Sequence, residues 1–268
     1  MRLINNSPSI TGVFTVILIC LITACATNIA GRKQIMLVSE SQAIEASKQA
    51  YSEMLTPLQQ QGKLDSDPAM AKRINQITDR LVEQAKIKRP ESGNWEWSVK
   101  VIDDPDTVNA WCMAGGKMAI YTGLIQKLNP TDDEIAEVMG HEISHALLNH
   151  TAERMSVAMA SDYVLKTVTT ATDSSAATSS LAATAAQIAL TLPNSRKSES
   201  EADVLGIELA ARAGFDPNAA VTLWQKMEQV SGSGGMEFLS THPAPENRQT
   251  KLRELIPVMM PYYQAAKK

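Results

Sequence analysis

From Ser39 onward apolar residues recur at helical spacing, and the chain reads as a succession of helices interrupted once by short alternating segments. Ser39 and Gln42 have capping-box spacing and open a helix running to about Gln61. Asp67-Pro68 starts a second helix, an N-cap followed by proline, and its apolar positions Met70, Ile74, Ile77, Leu81 and Val82 recur at three and four. After the Pro90–Gly93 break, Trp95, Trp97, Val99 and Val101 alternate with Glu96, Ser98 and Lys100, which predicts a half-buried strand from Trp95 to Ile102. Val108 to Met113 and Lys117 to Tyr121 are two further short strands, with Gly115-Gly116 as their hairpin turn. Thr131 and Glu134 form a second capping box, opening a long helix through Ile135, Val138 and Met139 and past His145.

Ser156 to Leu192 is rich in Ala, Ser and Thr and reads equally as a hairpin of two small-residue helices or as a mobile flap. A helix from about Lys197 to Ala213 ends near Gly214, and Asp216-Pro217 starts another with the stripe Val221, Leu223, Trp224 and Met227. Ser231 to Gly235 reads as a flexible loop. His242-Pro243-Ala244-Pro245 reads as a rigid turn before a final helix through Leu252, Leu255 and Ile256. The fold class is α+β, predominantly helical with a small antiparallel sheet, and residues 39–268 form one domain without internal repeats.

The N-terminus changes the picture. Arg2 precedes an apolar run from Ile10 to Leu21 that ends at Ile22-Thr23-Ala24-Cys25, the order of a secretory signal over residues 1–24. A spanning helix needs roughly 20 apolar residues, so an uncleaved anchor is the weaker reading. Small residues just before a cysteine resemble the lipobox of bacterial lipoproteins, which makes Cys25 the acylated residue and 25–38 a tether; Cys20, preceded by bulky Ile19, fits worse. Ala26 after that cysteine implies sorting to the outer membrane. Cys112 is then the one thiol left, so no intramolecular disulfide is expected. A net charge of -4 and a pI near 5.6 supply no basic footprint, which sets nucleic acid aside as a partner.

His141-Glu142-Ile143-Ser144-His145 carries the chemistry. Histidines four apart on a helix project from one face and bind a single zinc ion, with Glu142 beside them as general base. Zinc lowers the pKa of water and polarises a scissile carbonyl, and the base passes the proton to the leaving amine. A chance pair is disfavoured because three of the four histidines fall between positions 141 and 150. Catalytic zinc takes three protein ligands and an open position. His150 follows His145 by five residues without the metzincin glycine, so it reads as a packing or hydrogen-bonding residue on the same helix. Glu199 and Asp203, four apart, supply the third ligand and a hydrogen-bond acceptor for a ligand histidine. Glu201 between them reads as an ordinary surface acid. In zinc peptidases a strand beside the metal helix often takes substrate as an added strand, and Lys117 to Tyr121 is the edge expected to do so.

These residues resemble the HtpX/Ste-type gluzincin peptidases, and in particular their BepA/LoiP-like periplasmic lipoprotein branch. The resemblance runs through Gly31-Arg32-Lys33-Gln34, Asn109-Ala110-Trp111, the Gly115–Gly123 hairpin, His141–His145, Glu199–Asp203 and Thr241-His242-Pro243. It implies one zinc on His141, His145 and Glu199, Glu142 as catalytic base, and Asp203 supporting a ligand. It also implies misfolded or stalled outer-membrane proteins as substrates, contact with the outer-membrane assembly machinery, and a place on the periplasmic side of the outer membrane. By the same resemblance His242 approaches the zinc, either as a switch that keeps the enzyme latent or as a stabiliser of the oxyanion. Arg248 reads either as a second electrophile or as a helix cap. Two other readings stand beside this one: an assembly chaperone whose protease activity is silent or latent, and a structural zinc site closed by four ligands. An intact Glu142 speaks against the first, since a zinc scaffold needs no base.

Overall fold

A computed structural model describes residues 25–168, 181–231, 237–243 and 247–268. Strands β1 (Cys25–Thr27) and β2 (Lys33–Ile35) form an antiparallel hairpin. Helices α1 (Glu40–Gln60) and α2 (Pro68–Lys88) follow, then β3 (Ser98–Ile102), β4 (Ala110–Met113) and β5 (Lys117–Tyr121). The remaining helices are α3 (Thr122–Leu128), α4 (Asp132–Leu147), α5 (His150–Val168), α6 (Leu181–Leu190), α7 (Arg196–Arg212), α8 (Ala219–Ser231), α9 (Glu237–Thr241) and α10 (Arg248–Ala266). The expected predominantly helical fold with small sheets is the one observed. The expected signal at 1–24 and most of the expected Ser231–Gly235 loop lie outside the described residues, as do 169–180 and Ala244-Pro245. No helix among the described residues is long and apolar enough to cross a membrane.

Strand alternation makes the sheet a middle layer. Val99, Val101, Ala110, Cys112, Met118 and Ile120 enter one core, with Ile74 and Leu81 of α2 and Met139 and Ile143 of α4. Their neighbours Ile102, Trp111, Met113 and Ala119 enter a second core, with Ala43, Ala46 and Ala50 of α1 and Ala185 and Ile188 of α6. The small-residue segment therefore forms helices where it is described, one of them packed on α1 and the sheet.

The structure departs from expectation at three points. The three-stranded sheet is mixed: its order is β3-β5-β4, with β3 parallel and β4 antiparallel to β5. Lys117–Tyr121 is thus the central strand. Both its edges are taken, by the Gly115-Gly116 hairpin (φ +79 and +77) on one side and by Val99 and Val101 in register with Met118 and Ile120 on the other. The outer strands are β3, met at its last residue by the Leu64–Ile102 bridge, and β4, the outer strand that packs on the helix carrying His141 and His145. Residues 25–38, read as a tether, instead fold onto the domain with Gln34 and Val38 buried. Arg32 grips Glu153 with two bonds of 2.5 and 2.6 Å, and Gln34 Nε2 donates to the Leu148 carbonyl at 2.8 Å. Partners more than a hundred residues away leave no local trace in sequence.

The capping box at Thr131 fixes the start of α4: Glu134 Oε2 accepts from the Thr131 N–H at 2.8 Å, and the Glu134 N–H donates to Thr131 Oγ1 at 3.2 Å. Lys226 Nζ and Thr222 Oγ1 of α8 also donate to this carboxylate, at 2.6 and 2.8 Å. Burial pushes the Glu134 pKa up, but the bonds from Lys226, Thr131 and Thr222 and the Lys226 charge outweigh it and hold it below its ordinary value. A carboxylate with a depressed folded pKa binds fewer protons folded than unfolded. Its contribution is complete above the unfolded value and fades as pH falls through the folded one. Glu134→Gln is therefore expected to lower the denaturation midpoint at pH 7. The gap to wild type should close as pH falls below the ordinary glutamate value of 4.5. A gap that is unchanged at pH 3 would contradict this assignment.

Candidate metal centre

Helices α4 and α7 meet at glycines. A Cβ on Gly206 would lie 2.9 Å from the His141 amide nitrogen, and one on Gly140 would lie 3.0 Å from the Gly206 carbonyl oxygen. With side chains absent at the crossing, the two backbones pack directly against each other. Asp203, one turn before Gly206, then meets His141, and Glu199, a further turn back, reaches both His141 and His145.

The geometry follows from that register. Glu199 Oε2 is 3.4 Å from His141 Nε2, and its Oε1 is 3.3 Å from His145 Nε2. The two Nε2 atoms are 3.0 Å apart. His242, just after α9, adds a fourth donor: its Nδ1 lies 3.0 Å from Glu199 Oε1 and 3.3 Å from His141 Nε2. All four residues are buried, and one ligand atom from each falls within 4.8 Å of the others. His141 Nδ1 is 3.0 Å from Asp203 Oδ1, so that ring donates to the carboxylate and turns its Nε2 lone pair inward. Three imidazole nitrogens and a carboxylate converging on one buried point fit a cation of zinc's preference. The charges agree. Burial lowers the His141 pKa, yet Glu199 and Asp203 push it up to about 9, so the cluster calls for positive charge. Glu199 is held well below its ordinary value by His242, His141 and His145 despite burial.

Glu142, on the adjacent turn, is buried with Oε1 lacking a hydrogen-bond partner, 3.4 Å from His242 Nε2. Burial raises its pKa above the ordinary carboxylate value, against the opposing charges of His242 and His141. The β4 edge borders it: Trp111, Cys112, Glu142, His145, Asn194 and His242 line one cleft. Phe238 stacks on the His242 ring at 4.4 Å, and Asn194 Nδ2 lies 3.4 Å from its Nδ1.

Arg248 is neither a cap nor turned toward the cleft. Its Nη2 donates to Asp203 Oδ1 at 2.5 Å and Glu199 Oε2 at 3.2 Å, while its guanidinium lies 3.5 Å over the Trp224 ring. It braces the two carboxylates. His150 does make hydrogen bonds, but it starts a new helix, because Asn149 adopts φ +57 and ends α4. Glu201 is corrected: it is mostly buried and takes bonds from Arg32, Asn28 and His150. Sequence reasoning also missed Asn194, Phe238 and the half-buried Arg154, which donates to Asn194 Oδ1 at 2.9 Å; no local pattern marks them.

The sequence model for Peptidase family M48 matches residues 68–256. Mitochondrial metalloendopeptidase OMA1 of Saccharomyces cerevisiae is 31% identical over 241 residues, which cover 85% of this chain and 68% of that protein. The Schizosaccharomyces pombe protein of the same name is 36% identical over 164 residues, 60% of this chain and 47% of the relative. Beta-barrel assembly-enhancing protease of Escherichia coli is 31% identical over 212 residues, 74% of this chain and 41% of the relative. The chain thus spans less than half the length of the latter two.

Proposed function

The chain belongs to peptidase family M48, a family of zinc metallopeptidases, and from that membership we propose that it is an endopeptidase holding one zinc ion between His141, His145 and Glu199. The observation that carries this reading is the buried convergence of those three side chains with Glu142 alongside. Zinc, when bound, supplies a Lewis acid for the scissile carbonyl and acidifies water toward neutrality. Asp203 fixes the His141 tautomer through Nδ1, and Arg248 holds Asp203 and Glu199 in place. Glu142 takes the proton of the attacking water on its unpartnered oxygen and delivers it to the leaving amine. An extended substrate adds to the β4 edge, with its backbone running past Cys112 toward Glu142.

His242 stands where substrate has to enter, between Glu142 and Glu199, and this favours a latent resting state. His242→Ala is expected to retain zinc and to raise the rate of casein cleavage; a rate at or below wild type with zinc retained would contradict the switch. Misfolded or stalled outer-membrane proteins are the proposed substrates, supported by the name of the Escherichia coli relative and by the lipobox-like residues before Cys25. Contact with the assembly machinery for those proteins is part of the same proposal. A lipid on Cys25 would tether the chain to the periplasmic face of the outer membrane. Because β1 begins at Cys25, the domain would be held at the membrane surface with no linker between. Incorporation of labelled fatty acid that is lost in Cys25→Ser is expected, and unchanged labelling would contradict the anchor.

A further inference from the structure

Arg32 and Gln34 of the motif Gly31-Arg32-Lys33-Gln34, with Glu153, Glu201 and His150, have no part in the chemistry above, yet they form one connected chain that ends on a zinc ligand. His145 directs Nε2 at the metal cluster, 3.3 Å from Glu199 Oε1, so its Nδ1 must carry the proton. That nitrogen lies 2.8 Å from His150 Nδ1, which can accept only if His150 is protonated on Nε2. His150 Nε2 in turn lies 3.1 Å from Glu201 Oε2, an acceptor that selects this tautomer. Glu201 is held by the hairpin between β1 and β2. Arg32 Nε lies 2.7 Å from its Oε1 and 2.9 Å from its Oε2, and Asn28 Nδ2 donates to Oε2 at 3.1 Å. The hairpin is itself anchored by the two Arg32–Glu153 bonds and by Gln34 Nε2 donating to Glu153 Oε2 at 2.9 Å.

The donors run from His145 through His150 to Glu201, and Arg32 and Asn28 donate to the same carboxylate from its other side. A metal-binding histidine is usually oriented by a carboxylate in direct contact, as His141 is by Asp203. Here the carboxylate is one imidazole further away. The hairpin lies wholly before residue 68, where the family match begins.

We propose that Arg32, Glu201 and His150 are positioning residues of the metal site: the N-terminal hairpin sets the His145 tautomer through Glu201 and His150, and the site is incomplete without it. This inference rests on the zinc-peptidase reading. His150→Gln keeps an acceptor toward His145 and a donor toward Glu201, whereas His150→Phe keeps the ring and loses both.

Zinc affinity of the full chain would be measured by chelator competition, with the thermal stability of each metal-free variant measured in parallel. The expected result is a loss of about 10–100-fold for His150→Phe, recovery of most of it in His150→Gln, and a loss in Arg32→Met that Arg32→Lys partly recovers. Cobalt bound in place of zinc should show an altered visible absorption spectrum in His150→Phe and a wild-type one in His150→Gln. Wild-type affinity in His150→Phe, or equal losses in Phe and Gln, would overturn the inference and leave the peptidase reading intact. A wild-type chain that binds no zinc would overturn both.

Discussion

Glu142→Gln is expected to fold, to retain zinc, and to cleave casein about 10²–10⁴-fold more slowly than wild type. Gln matches Glu in shape, and the buried Oε1 has no hydrogen-bond partner to lose. Folding therefore loses little, and a buried carboxylate whose pKa lies above its ordinary value becomes a neutral amide at some gain in desolvation. The substitution removes the ability to take and return a proton, together with the negative charge that faces His242 Nε2 at 3.4 Å. The loss corresponds to about 3–5 kcal/mol of transition-state stabilisation. Steady-state kinetics on the variant should show the fall in kcat, with KM much less affected. A variant within a few-fold of wild type would mean that another group accepts the proton.

The second large effect is expected from a residue that touches no substrate. Gly206→Val is expected to lower thermal stability and zinc affinity together. A Cβ at position 206 meets the His141 nitrogen at 2.9 Å and its Cα at 3.0 Å. Those are backbone atoms of a packed helix and cannot turn aside as a side chain can. Replacing a helical glycine ordinarily gains at most about 1 kcal/mol of backbone entropy, while overpacking costs about 1–3 kcal/mol and the two γ-methyls of valine add to it. The melting temperature is expected to fall by roughly 3–10 °C. Separating α4 from α7 also pulls Glu199 away from His141 and His145, which links the two losses. Gly93→Ala, with open space around the added carbon, serves as the control and should change neither. Loss of stability with undiminished zinc affinity would contradict the coupling of the crossing to the site.

How much of this was legible in the sequence depended on how local each determinant is. Both capping boxes were readable, because Ser39 with Gln42 and Thr131 with Glu134 act within one turn. His141 with His145, and Glu199 with Asp203, were readable for the same reason: helical period puts each pair on one face. The strand order was not. Alternation in Lys117–Tyr121 showed a strand but could not show that β3 would pair with it in parallel, leaving β4 at the edge. The end of α4 does carry a local signal: Asn149 is a residue that tolerates the left-handed conformation, and it separates His150 from the helix of His145. Arg32 had no local signal, since its partners Glu153 and Glu201 lie on α5 and α7. The roles of Glu201 and of the segment 25–38 have no local signature, because each is defined by the other.

The most direct test of the account is to measure zinc content and casein cleavage on the same preparations of wild type and Glu142→Gln, before and after chelation. One zinc per chain is expected in both proteins, with cleavage by wild type alone, lost on chelation and restored by zinc. Wild-type protein that cleaves without zinc, or Glu142→Gln that cleaves as fast as wild type with its zinc in place, would contradict it.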